Sequence, residues 1–273
     1  MYTAKLSLKL CAKIDYDNHQ DNADDILYGL IVAFVQNGQI ADCRTHPNFI
    51  ENDCLCVIVN IFNNDSLDER HHNISIKKTL SKLNPNDLKI EILGEEFESL
   101  DIAKLNETNA LILTTHCYTN ESPIRSFEFQ PIPIHYLPKT NQDNENYYNL
   151  ICWQKDFQDC DSLQMRCVVG EQWALTQMSD VNSELSKQGL EICQILKEKL
   201  GKPVYYDLYQ YYILSDEKNR KCPKCGGEWL LKEPLHDRYD FKCDKCYLLS
   251  NFGVSEMEWW RYIPTEYDLC HKL

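Results

Sequence analysis

Positive charge is scarce in this chain. Its 273 residues carry 28 lysines and arginines against 42 aspartates and glutamates, a net charge of −14. An acidic surface repels phosphates, so any contact with nucleic acid has to be local. Long apolar runs are also missing. The longest, Ile26 to Val35, is too short to span a bilayer, and no membrane association is expected. Lys5 and Lys9 interrupt the first apolar residues, so no secretory signal is expected either. Fourteen cysteines therefore read as thiols in a reducing cytoplasm and not as a disulfide framework. The acidic stretch Asp15 to Asp25 lacks what an EF-hand requires. Counted from Asp15, its sixth and twelfth positions are Gln20 and Ile26, where glycine and glutamate are needed. That stretch reads as a solvated loop whose last acids favour the start of a helix.

What the chain does have is concentrated between Lys221 and Cys246. Cys222-Pro223-Lys224-Cys225 and Cys243-Asp244-Lys245-Cys246 are two Cys-x-x-Cys pairs separated by a seventeen-residue insert. This is the spacing of a structural zinc site, in which two tight turns aim four sulfurs at one point. Four thiolates close a tetrahedral shell, so the expected zinc, one per chain, builds structure and leaves no open position for chemistry. A redox dithiol would need a thioredoxin-like strand-helix context, which is absent. His236 lies in the insert, but four sulfurs make it unnecessary as a ligand. Gly226-Gly227 follows the first pair, where the chain turns back; Tyr247 holds the equivalent place after the second. Glu228–Leu231 and Tyr239–Lys242 are the expected strands of the ribbon.

Elsewhere the chain alternates strands and helices. Strands are expected at Lys5–Cys11, Cys54–Phe62, Leu88–Leu93 and Ala110–Thr115, and helices at Asp25–Gln36 and Ile74–Leu83. Cys54 and Cys56 share a strand face and read as small core residues. His71-His72 could touch a metal, though exposed loop histidines are commoner. His116 and Cys117 are adjacent on a strand and point to opposite faces, so they cannot serve each other as a nucleophile pair. No other catalytic constellation is visible, and no enzymatic role is expected. Phe127–Leu137, with Pro131 and Pro133, suits an edge strand or extended connector.

The second half starts with a short strand expected at Tyr148–Trp153. Asp161 can cap a helix with Leu163, Cys167, Gly170, Ala174 and Met178 on one face, widened by Val169 and Trp173. Ser183 or Ser186 can start the next helix, with Cys193, Leu196 and Leu200 inward and Gly201-Lys202-Pro203 as its stop. A tyrosine-rich strand, Val204–Ile213, leads to the first cysteine pair. The resulting fold class is α+β. It divides into an N-terminal α/β-type domain (1–146), a central two-helix region with flanking strands (147–214), a zinc ribbon (215–253) and a C-terminal tail (254–273).

Five segments in order carry a family resemblance: Leu163–Cys167, Val169–Ala174, Leu185–Gly189, Pro203–Tyr206 and Cys222–Leu230. With them the chain, from about Tyr148 to Phe252, resembles a family of uncharacterised bacterial proteins described as zinc-ribbon-containing and proposed to bind nucleic acids. The resemblance implies four zinc ligands, Cys222, Cys225, Cys243 and Cys246. It implies no catalytic residues.

Two functions follow as expectations. The first is contact with RNA or DNA, directly or within a nucleoprotein complex. Residues 218–252 hold eight basic and five acidic side chains, a net of +3 that leaves −17 for the rest. A zinc ion with four thiolates adds −2, however, so the lysines beside the cysteines partly serve to offset the metal centre. Lys218, Arg220, Lys232 and Arg238 are less committed and are the expected phosphate contacts. Trp229 and Tyr239 are candidates for base stacking, or equally for the module's own core. The second function is a protein-interaction adaptor, docking on a partner protein through the ribbon and the aromatic tail around Trp259-Trp260.

Overall fold

The structure is a computed structural model that describes residues 1–16, 19–41, 46–97, 99–141, 145–214 and 216–254. The tail with Trp259-Trp260 lies outside the described residues. The chain is α+β and forms two compact units. Unit 1 takes Met1–Ile102, Asn120–Ser122 and Pro131–Ile151; unit 2 takes Ala103–Thr119, Pro123–Gln130 and the described residues from Cys152 on.

Unit 1 is built on an antiparallel sheet. Its strands are β1 (Tyr2–Lys9), β4 (Asn48–Glu51), β5 (Cys54–Ile61) and β6 (Leu88–Glu95), in the order β4-β5-β1-β6. The strands β2 (Ile14–Tyr16) and β3 (His19–Asp21) form a separate small hairpin. Period-two alternation sets the register of β1: Ala4, Leu6 and Leu8 are fully buried. Cys56 is buried in the same sheet, while Cys54 is half-buried. Asn52 and Asp53 both take positive φ, the mirror-image turn that suits a two-residue hairpin between β4 and β5.

Helix α1 (Ala23–Gln36) lies against β1 and β5 and buries Ile26, Leu27, Leu30 and Phe34. Asn22 caps it, its side chain accepting the N–H groups of Asp24 and Asp25, and these two acids lie in its first turn, where the acidic loop end was expected to favour the helix. Helix α2 (Ile74–Leu80) is capped by Asn73.

Unit 2 contains a six-stranded sheet in the order β10-β11-β12-β9-β7-β8. Its members are β7 (Leu111–Leu113), β8 (Ile124–Ser126), β9 (Val204–Asp207), β10 (Leu230–Leu235), β11 (Tyr239–Cys243) and β12 (Leu248–Ser250). The strand β9 runs parallel to both its neighbours, β7 and β12. The three ribbon strands thus belong to the same sheet as β7, β8 and β9. The long tyrosine-rich strand is shorter than its composition suggested, ending at Asp207. Phe127–Leu137 forms no strand; a turn at Ser126–Phe129 follows β8 instead.

The expected strand at Tyr148–Trp153 is instead the start of helix α3 (Tyr148–Arg166). The reason is a longer period. Leu150, Trp153, Phe157, Cys160 and Gln164 recur at gaps of three and four, and all are buried. The helix breaks where Cys167 and Gly170 take positive φ, and α4 (Glu171–Ser179) begins anew. The single face expected across 163–178 is therefore split. Ala174 and Met178 are buried, but Val169 and Trp173 are exposed.

Helix α5 (Glu184–Leu200) starts at Ser183, whose Oγ accepts from Ser186 N, and stops at left-handed Gly201. Gly189 lets α5 approach the sheet: a Cβ there would overlap the Tyr206 ring and come within 2.7 Å of Trp153 Nε1. Gly189→Ala should therefore destabilise the protein by about 1–3 kcal/mol, despite the ~1 kcal/mol gained in helix propensity. Urea denaturation checks this; an unchanged midpoint would contradict the close approach.

Candidate metal centre

Cys222 and Cys225 lie on a turn whose geometry comes from its backbone. Gly226 N donates to Cys222 O at 2.8 Å, and Cys222 N to Gly227 O at 2.9 Å, with Gly226 at φ 68°. Cys243 ends β11, and Cys246 lies in the turn that leads to β12. After it, Tyr247 takes φ 55°, the left-handed conformation that Gly226 supplies in the first turn. The strain of a tyrosine there is offset by packing. Its ring lies 5.7 Å from that of Tyr205, and Lys197 Nζ sits 4.2 Å from its centroid.

The four cysteines each offer a sulfur, all within 4.8 Å of one another, so together they could hold a metal ion. Cys225 and Cys243 Sγ are 3.7 Å apart. Ligands ~2.3 Å from a tetrahedral zinc are about 3.8 Å from each other, so the spacing fits the expected ion. His236 stands apart from this group. It sits at the β10–β11 turn, its Nε2 2.6 Å from Phe127 O. The Cys225 thiol is lowered to about 7, chiefly by the Gly227 N–H, whereas burial raises Cys243 and Cys246. An ion binding here must displace the remaining protons, so its affinity falls as pH falls.

Of the residues expected to meet nucleic acid, only Lys218 and Lys232 are exposed lysines. Arg220 stacks on Phe241 (4.1 Å) and Trp229 (5.1 Å) and donates to Ser250 Oγ and Asn251 O. Trp229 is 3% exposed and donates through Nε1 to Arg220 O. Tyr239 is fully buried, and its hydroxyl donates to Asp207 at 3.1 Å. Arg238 pairs with the same Asp207 oxygen at 3.3 Å, with side chains 16% and 3% exposed respectively. Thr114 Oγ1 donates to it as well, at 2.7 Å. The aromatics thus form the ribbon's core, and both arginines satisfy internal acceptors. This corrects the expectation that Arg220 and Arg238 are available to phosphates.

A different basic feature adjoins the cysteines. A cavity of about 390 Å³ is lined by Lys197, Lys224 and Lys245, by Gln194 and Tyr247, by the sulfur residues Cys193, Cys225 and Cys246, and by the apolar Leu190 and Val204. Sequence reading missed Lys197 because it comes from α5, 25 residues before Cys222. Its only local signal was a position in the last turn of a helix.

A family model described as "Domain of unknown function (DUF2310)" matches residues 105–209, and another, "Domain of unknown function (DUF8594)", matches 212–255. The junction between them falls after β9, inside one continuous sheet. An uncharacterized protein of Haemophilus influenzae is 34% identical over 264 residues, covering 93% of this chain and 98% of its own. A second uncharacterized protein of that organism is 40% identical over 166 residues, covering 60% of this chain and 81% of its own. No solved structure matches. Among the described residues, no helix is long and apolar enough to cross a membrane.

Proposed function

The chain belongs to the bacterial family of these Haemophilus influenzae proteins, and we propose that it is a non-catalytic zinc-ribbon protein that binds single-stranded nucleic acid, RNA or DNA, in the cytoplasm. One zinc per chain, held by Cys222, Cys225, Cys243 and Cys246, is structural in this reading. The observation that carries the contact is the convergence of Lys197, Lys224 and Lys245 on the cavity beside the cysteines. Lys218 and Lys232 are exposed as well. Lys221 and Lys242 are engaged with Glu228 and Asp244 and add little. The −2 charge of a zinc tetrathiolate lies beside Lys224 and Lys245, so the attraction is modest.

Binding of labelled single-stranded RNA and DNA, followed by anisotropy across a salt series, tests this. Three phosphate contacts give a slope of roughly two. A Lys197→Glu, Lys224→Glu, Lys245→Glu variant should lose binding while keeping its zinc. A parent that binds neither RNA nor DNA at low salt, or a triple variant that binds as the parent does, would overturn the reading.

One observation favours a second reading, the adaptor. Val168 (81% exposed), Val169 (71%) and Trp173 (59%) form an apolar surface at the α3–α4 break. Gln172 Nε2 donates to Tyr212 OH at 2.7 Å, and Ile213, next in the chain, is exposed too. Exposed apolar clusters of this kind mark protein contacts. Capture of a partner protein that survives nuclease and is lost in Trp173→Glu favours the adaptor.

A further inference from the structure

Unit 1 holds a second group of metal-ligating side chains. Asp65, His71 and His135 each offer one ligand atom, and these lie within 4.8 Å of one another. They come from three separate places: the loop after β5, the 3-10 turn Glu69–His71 and the 3-10 turn Ile134–Tyr136. The two imidazole rings are 4.6 Å apart, edge to face.

His135 is the most informative of the three. Its Nδ1 lies 3.0 Å from Gly38 O. A carbonyl only accepts, so that nitrogen carries the ring proton and Nε2 carries the lone pair. Nε2 is buried and has no hydrogen-bond partner. A buried polar atom without a partner requires an explanation. A ring held by a backbone carbonyl on one nitrogen, with the lone pair of the other left to ligate, is how metal-binding histidines are oriented.

The other donors are braced too. Tyr136 OH donates to Asp65 Oδ1 at 3.1 Å, and Asn63 Nδ2 donates to Tyr136 OH at 2.5 Å. His71 O accepts Asn37 Nδ2 at 2.7 Å. Burial is the main cause that lowers both imidazoles, His135 to about 3.

We propose that Asp65, His71 and His135 form a second metal site, for a divalent first-row transition ion such as zinc. Two imidazoles and a carboxylate are the donor set of such ions, and three protein ligands leave a position for water. Arg70 is the competitor. Its guanidinium pairs with Asp65 and its Nε approaches His71 Nε2 at 3.2 Å, yet it leaves His135 Nε2 without a partner. The Arg70 side chain is 58% exposed. Asp65 is 24% exposed, so the pair is partly screened by solvent and a metal can compete with it.

Zinc titration of the full-length chain, with metal content measured after removal of free ion, tests the site. The parent should take up two zinc ions per chain. Asp65→Asn and His135→Asn should each keep the thiolate-bound ion and bind the second at least tenfold more weakly. Both variants should show the parent's circular dichroism. Arg70→Ala should bind the second ion more tightly. Saturation of the parent at one zinc, retention of the second ion by both ligand variants, or no tightening in Arg70→Ala would overturn the proposal.

Discussion

Cys243→Ser should disorder the sheet of unit 2 well beyond the ribbon. Cys243 is the last residue of β11, and the turn after it delivers β12 to β9. That pairing runs Leu248↔Tyr206 and Leu249↔Asp207, with Tyr206 N donating to Tyr247 O at 2.9 Å. Zinc contributes on the order of 10 kcal/mol or more in small metal-organised modules, comparable with the roughly 5–15 kcal/mol that holds a whole domain folded. The loss therefore passes from the cysteines through β12 to β9, and from β9 to helix α5, which packs on it. Hydrogen exchange read by mass spectrometry should show β9, β11 and β12 losing protection in the variant. The unit 1 strands β1 and β5 should keep theirs. Unchanged protection in β9 and β12 would show that the metal does not hold this part of the sheet.

The second large effect is expected from Arg238→Ala, at about 3–5 kcal/mol of lost stability. The substitution leaves the Asp207 carboxylate, 3% exposed, without its cation. Thr114 and Tyr239 still donate to that carboxylate, but they carry no charge to balance it. The double variant Asp207→Asn, Arg238→Ala should recover part of the loss, because no buried charge is then left unpaired. Lys232→Ala, at an exposed position, should change stability by less than about 0.5 kcal/mol. Urea denaturation of the three variants makes the comparison. A loss below about 1 kcal/mol for Arg238→Ala would mean that this arginine is free for an external contact after all.

Local sequence signals served well where the chemistry itself is local. The spacing of Cys222, Cys225, Cys243 and Cys246 is enough to foresee their convergence, since each pair needs only its own turn. Period two in β1 and a serine start for α5, at Ser183 or Ser186, were legible for the same reason. Tyr148–Trp153 was misread because six residues cannot separate a short strand from the first turns of a helix; the pattern resolves only when Phe157, Cys160 and Gln164 are included. Arg220 and Arg238 were misread for a different reason. A charged side chain is exposed by default, and their acceptors, Ser250, Asn251 and Asp207, become neighbours only when the sheet forms. The same distance in sequence hid His135 from His71. Sequence reading joined His71 to His72, but His72 approaches Leu67 O and the Phe34 ring instead.

Cobalt substitution is the most direct test of the four-cysteine metal centre. Cobalt bound by four thiolates gives intense sulfur-to-metal charge-transfer bands, which a site of imidazoles and a carboxylate does not. Cobalt added to metal-free full-length chain should raise those bands to saturation at one ion per chain. Zinc should then displace the cobalt and abolish them, and Cys225→Ser should weaken or shift them. Absence of the thiolate bands, or an unaltered spectrum in Cys225→Ser, would contradict a metal centre built by Cys222, Cys225, Cys243 and Cys246.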